Sequence, residues 1–197
     1  MSVMTRDTSA HSVTRMQKQT KIWIKDALFE LLGTYSFEDI TVKQLVLTAE
    51  ISRPTFYRLY PSKNEVLSDA VQDILDKYKG EINKKSPQNF EELTSICFEY
   101  FYINHDHLKV LIDSNLTSYL SNSFTKEFMN EVSSNPASWR QWTTPLQKTI
   151  GVNFAFGGML NVLLNWISTD CRVSPEDMKN QIIIVIDNLH DKNNDEI

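Results

Sequence analysis

Apolar residues recur along this chain at helical spacing, separated by short polar breaks, and no run alternates in the manner of a strand. A first helix is predicted from about Thr14 to Leu32, with Ile22, Ala27, Phe29, Leu31 and Leu32 on its apolar faces and Gly33 as its stop. Two short helices follow within Thr41 to Leu59. A longer one is predicted from Ser62 to about Lys79, repeating Val66, Leu67, Ala70, Val71 and Leu75, with Gly80 and the polar stretch to Gln88 as a domain boundary. Five or six more helices are expected beyond it: Phe90–Ile103, His105–Ile112, Ser118–Val132, Pro145–Ser168 and Pro175–Leu189, with a break at Asn135-Pro136. Every proline falls at a helix start or between helices, where its missing N–H costs nothing. The fold class is all-α: an N-terminal three-helix domain joined to a helical body. The division expected is a flexible tail (1–13), a first domain with its connecting helix (14–79) and the body (80–197).

The segment TVKQLVLTAEISRPTFYRLYPSKNEVL, Thr41 to Leu67, carries the most information. Thr41 and Gln44 form a capping box, stapled by Ile40 and Leu45; Ser52 caps the next helix, with Ile51 and Phe56 at the same spacing; Ser62 and Glu65 form a second box behind Pro61. Only Ala49, Glu50 and Ile51 separate the first two helices, which is helix-turn-helix spacing. Such a unit places one short helix in the major groove of DNA.

Net charge is −5, yet residues 1–63 hold 9 Lys or Arg against 6 Asp or Glu, and the remainder 11 against 19. A mildly basic head on an acidic body fits a protein that touches DNA with one end. Five glycines leave no phosphate-cradling loop. Cys97 and Cys171 match no metal-ligand spacing, and with no secretory signal visible they predict reduced thiols in a cytoplasmic protein. The apolar stretch Ile150–Ile167 contains Asn153, Asn161 and Asn165, which argues for a buried or interfacial helix and against a membrane span. His105 and His107 sit two apart and would point to different sides of a helix, so neither a metal nor a catalytic set is expected. The chain reads as a non-enzyme with no cofactor.

The segment from about Met16 to Ala70, with ALFELLGTYSFEDIT before the two-helix unit and TFYRLYPSKNEVL at its end, resembles the N-terminal domain of the TetR family of bacterial transcription regulators. FAFGGMLNVLLNWIS followed by Ser174-Pro175-Glu176-Asp177 is similar, more loosely, to a C-terminal domain common among such regulators in Gram-positive bacteria. The family string is commonly TFYRHF, so Leu59 replaces a phosphate-contacting His, and Glu50 stands where the turn usually has Gly. If the backbone there is left-handed, Glu50 costs roughly 1 kcal/mol.

Roles follow position by position. With Phe56 and Ile51 inward, Arg53, Pro54, Thr55 and Tyr57 face outward on the helix capped by Ser52. Arg53 is placed for a guanine edge, Thr55 for a base edge or thymine methyl, and Tyr57 and Arg58 for phosphate. Thr41, Lys43 and Gln44 offer donors to another phosphate. The resemblance adds support for Tyr57 and implies a phosphate contact for Lys63. It also implies a C-terminal dimerisation surface and a ligand cavity. Gly157 and Gly158, with Ile182, Ile183 and Ile186, are the candidates for a four-helix homodimer interface, and intramolecular packing of the same residues is the alternative. Phe98, Phe101, Tyr102, Tyr119, Phe128, Trp142 and Phe154 are candidates for a pocket, although aromatics at helical spacing also simply build cores. The expected protein is a homodimeric regulator, more usually a repressor, of a palindromic double-stranded DNA operator, responding to a small-molecule or protein effector. A helical interaction module that has lost DNA binding is the alternative.

Overall fold

The computed structural model describes the backbone of residues 5–134 and 143–189, and side chains within 15–129 and 143–188. Among these the elements are α1 (Thr5–Leu32), α2 (Val42–Thr48), α3 (Arg53–Leu59), α4 (Lys63–Lys85), α5 (Phe90–Ile103), α6 (Asp106–Asp113), α7 (Thr117–Ser134), α8 (Pro145–Ser168) and α9 (Pro175–Leu189). The described residues contain no strand. Two compact units divide the chain between Asp73 and Ile74, within α4.

In the first unit α1 packs on α2 and α3, and α2 on α3. Ile24 and Leu28 of α1, the staple residues Ile40 and Leu45, Phe56 of α3 and Leu67 of α4 are all closed to solvent. Burying each such side chain contributes about 1.5–3 kcal/mol, set against the entropy of ordering the chain. Helix α1 begins at Thr5 rather than near Thr14, in residues expected as a tail, because no glycine or proline interrupts the segment.

In the second unit α5 packs on α9, and α6, α7 and α8 pack on one another. Phe98, Phe101, Leu108, Leu111, Leu120 and Ile167 are fully buried. Phe98 meets Trp166 edge-on at 5.1 Å between ring centroids, and the Trp166 indole donates to the Val173 carbonyl at 2.9 Å. Helices α5, α8 and α9 have the expected bounds because Asn89, Thr144 and Ser174 cap their first turns. Helix α4 runs through Gly80 to Lys85 instead of stopping near Lys79. Gly80 is exposed and helical, a tolerable cost of about 1 kcal/mol relative to Ala. The break expected at Asn135-Pro136 lies outside the described residues.

Three helices end in one way. After α2, α6 and α8 the chain turns through Glu50 (φ 53°), Asn115 (φ 60°) and Asp170 (φ 59°). In each, the next residue's amide reaches back to a carbonyl of the last turn: Ile51 to Val46 at 3.0 Å, Leu116 to Leu111 at 2.9 Å and Cys171 to Trp166 at 3.1 Å. This is the Schellman ending, normally made with glycine in the left-handed position. A chain with five glycines makes it without them.

Helix α8 is long and apolar enough to cross a membrane by length and composition alone. Its exposed positions include Leu146, Ile150 and Phe154, and also Asn153, Asn161 and Asn165.

Candidate nucleic-acid interface

The capping box of α2 forms as the sequence implies. The Thr41 amide donates to Gln44 Oε1 at 2.9 Å and the Gln44 amide to Thr41 Oγ1 at 3.2 Å. The box occupies the Thr41 hydroxyl as well, which donates to the same Gln44 oxygen at 2.7 Å. What α2 still offers a phosphate is the Val42 and Lys43 amides of its first turn, which lack intrahelical partners, and the exposed ammonium of Lys43.

Helix α3 starts on Ser52, whose hydroxyl accepts from the Thr55 amide at 3.3 Å and lies 2.9 Å from the Thr55 hydroxyl. Pro54 sits in the first turn, where its ring is pre-shaped for a helix. Phe56 is fully buried and Ile51 half-buried beneath the helix. Ser52, Arg53, Pro54, Tyr57 and Arg58 are exposed, and Thr55 is half-buried. Tyr57, 58% exposed, meets Phe56 edge-on at 5.4 Å. One anchored apolar side chain therefore presents two guanidinium groups, a phenol and a hydroxyl on a single short helix. Glu50 in the preceding turn is left-handed, so the cost of roughly 1 kcal/mol applies, and it is exposed.

Lys63 is placed differently from the expectation of a phosphate contact. Its ammonium donates to three backbone carbonyls of the loop before α2, those of Phe37 (2.6 Å), Glu38 (2.8 Å) and Ile40 (2.7 Å), and lies 4.8 Å from the Phe37 ring centre. An ammonium has three donors, and all three are engaged. Lys63 ties the start of α4 to the entry of α2.

A polar cluster absent from the sequence reading holds the far end of α3. Tyr60, its C-terminal cap, donates its hydroxyl to Asp69 of α4 at 2.5 Å. Asp69 is 3.4 Å from both Lys21 and Lys25 of α1, and Lys25 also pairs with Asp73. Burial pushes the Tyr60 phenol pKa up, reinforced by the bond to Asp69. Burial works to raise that of Asp69, but the Tyr60 hydroxyl, Lys25 and Lys21 outweigh it and hold the carboxyl below its ordinary range. The family string has Phe where Tyr60 stands, so this hydroxyl is a departure that adds a bond.

The second unit contains a cavity of about 350 Å³ between α4, α5, α7 and α8. Of the expected pocket residues, Phe101 and Phe128 line it, joined by Tyr78, Cys97, Phe124 and Phe156. Phe98 is core against Trp166; Tyr102 stacks on Trp166 from the surface; Tyr119 is half-buried away from the lining; Phe154 is 74% exposed. Trp142 lies outside the described residues. Periodicity gave these aromatics a helix face but not a depth, and Phe154 faces solvent one turn from Ile150.

The expected dimer residues also divide. Gly157 and Gly158 are exposed, and a Cβ built on either meets nothing within 4 Å. Ile182, Ile183 and Ile186 are half-buried on α9, which packs on α5, whereas Ile184 (50% exposed) and Val185 (56%) face outward.

Comparison with known proteins gives a consistent result. Residues 24–70 match the family description "Bacterial regulatory proteins, tetR family", and residues 88–188 match "Transcriptional regulator C-terminal region". The uncharacterized HTH-type transcriptional regulator YxbF of Bacillus subtilis (strain 168) is 21% identical over 179 residues, covering 85% of this chain and 44% of that protein. The chain thus spans less than half the length of that relative. The TetR transcriptional regulator from Streptococcus agalactiae 2603V has a similar structure, with a TM-score of 0.66 at 22% identity over 90% of this chain and 98% of that one. The fatty acid degradation regulator FadR from Bacillus halodurans gives 0.58 at 14%, over 83% and 92%. The dihydroxyacetone kinase operon activator DhaS gives 0.55 at 18%, over 84% and 93%. The helix-turn-helix lies within the first matched region and the cavity-lining helices α5, α7 and α8 within the second. This chain belongs to the tetR family of bacterial regulatory proteins, DNA-binding transcription regulators rather than enzymes.

Proposed function

We propose that this chain is a cytoplasmic, homodimeric repressor that binds an operator of two inverted half-sites and releases it on binding an effector in its second unit. The observation that carries the reading is the outer face of α3, where Arg53, Tyr57 and Arg58 stand exposed over a buried Phe56. Arg53 reads a guanine edge and Thr55 a neighbouring base, while Tyr57, Arg58, Lys43 and the first-turn amides of α2 hold phosphates. Lys63 contributes by fixing the loop that launches α2.

The dimer rests on the exposed stripe of α8, where Leu146, Ile150 and Phe154 recur every four residues and run into Gly157 and Gly158. No described residue uses the small size of those glycines, which suits the close approach of a partner helix. Ile184 and Val185 extend the apolar surface on α9. Two copies would set their α3 helices in successive major grooves, about 34 Å apart or somewhat more. Effector binding acts through α4, which contributes Tyr78 and Ile82 to the cavity and Asp69 to the Tyr60 bond.

Selection of the purified protein against random duplex DNA at two salt concentrations tests this. Recovery of an inverted repeat supports both operator and two-fold symmetry. Recovery of no motif, with only weak salt-sensitive binding, would instead favour an interaction module that has lost DNA binding. Because the similar DhaS is an activator, the sign needs its own readout: deleting a repressor raises transcription from the operator's promoter.

A further inference from the structure

Among the described residues, the lining of the second unit's cavity contains no Asp, Glu, Lys, Arg or His. Its wall is built from aliphatic and aromatic side chains, including Phe101, Phe128 and Phe156, with Phe128 and Phe156 stacked at 4.0 Å. Of the charges beside it in sequence, Lys79 and Glu127 pair with each other at 3.3 Å. A charged molecule entering here would lose its hydration and find no counter-charge.

Two hydrogen-bonding side chains interrupt this wall. The Tyr78 phenol and the Cys97 thiol lie beside one another, and burial pushes the Cys97 pKa up to about 12, so the thiol stays protonated. A phenol oxygen that donates one bond keeps lone pairs for accepting another. A volume of about 350 Å³ lies at the lower end of the roughly 300–1,000 Å³ that small-molecule pockets span.

We propose that this cavity binds a small, uncharged, mainly apolar molecule carrying one hydrogen-bond donor that meets the Tyr78–Cys97 pair. This names the effector class for the regulator reading above and rests on it for its biological meaning. The binding claim stands separately.

The test is titration of the full-length protein with three probes of matched chain length, followed by calorimetry: 1-decanol, decanoate at pH 8 and decyltrimethylammonium. Saturable binding of one decanol per chain is expected, with both ions at least tenfold weaker. Tyr78→Phe should weaken decanol about fivefold, the effect of one hydrogen bond, and leave the methyl ether of decanol unchanged. Ala155→Phe, at an exposed position of the lining, should abolish decanol binding while operator affinity is retained. Equal binding of either ion, or no binding of decanol to a protein that still recognises its operator, would overturn the proposal. Loss of operator recognition by the wild type would overturn the regulator reading and leave the titration result standing.

Discussion

Replacing Lys63 with Ala separates two roles for the same charge. In the structure its ammonium satisfies the carbonyls of Phe37, Glu38 and Ile40, of which the first and last are in part-buried bonds. Losing a charged donor from a part-buried carbonyl costs about 1–3 kcal/mol where water cannot take its place. The Glu38 carbonyl is exposed and rehydrates at little cost. Removing a cation from the first turn of α4 returns a few tenths of a kcal/mol, since it opposes the helix dipole. The balance is a local destabilisation of about 2–3 kcal/mol, centred on the loop before α2. Amide hydrogen exchange reads it directly. Protection of the Ile40 and Leu45 amides, which bond to the Ser36 and Thr41 carbonyls, should fall by about thirtyfold to 150-fold. The slope of operator affinity against salt should stay unchanged, because no phosphate contact is lost. If exchange is unaffected and the slope instead shallows by about 0.9, Lys63 holds a phosphate and the strut argument fails.

Glu50→Gly relieves a left-handed residue and removes an exposed carboxylate near the DNA face; a gain of about 1 kcal/mol in urea unfolding, with tighter operator binding at low salt, is expected, and a loss of stability would contradict the turn assignment. Tyr60→Phe removes a bond that helps hold the Asp69 carboxyl below its ordinary range. A depressed carboxyl adds stability above the unfolded pKa of about 4 and loses it as pH falls through the folded value. The stability gap between wild type and Tyr60→Phe should therefore be full at pH 7 and narrow below about pH 4; a gap independent of pH would detach Asp69 from Tyr60. Ile150→Asp with Phe154→Asp should yield monomers in sedimentation and weaken operator binding with both units still folded, whereas an unchanged mass would remove α8 from the interface.

The readable parts of the fold were those signalled by local chemistry. Asn89 before Phe90, Thr144-Pro145 and Ser174-Pro175 mark three helix starts within a few residues, and Thr41 with Gln44 marks a fourth. Helix ends were harder, because Glu50, Asn115 and Asp170 do in this chain what glycine usually signals, while Gly80 signals an end that the chain does not make. In the site, the outward set on α3 follows from the inward position of Phe56. The partners of Lys63 and Tyr60 do not, since they lie 23–26 and 9 residues away and depend on packing. The cavity shows the same limit: spacing groups the aromatics by face, and depth within the bundle then sends Phe101 inward and Phe154 outward.

The absence of ionised groups among the described residues of the cavity lining has a consequence for what this protein could notice. The desolvation cost that keeps a charged molecule out of such a chamber also keeps it from crossing a lipid bilayer unaided. The two filters select on the same property. A regulator gated this way would be indifferent to the ionised compounds a cell retains inside its membrane. It would answer instead to the neutral, greasy ones that pass through, which makes permeability itself the signal.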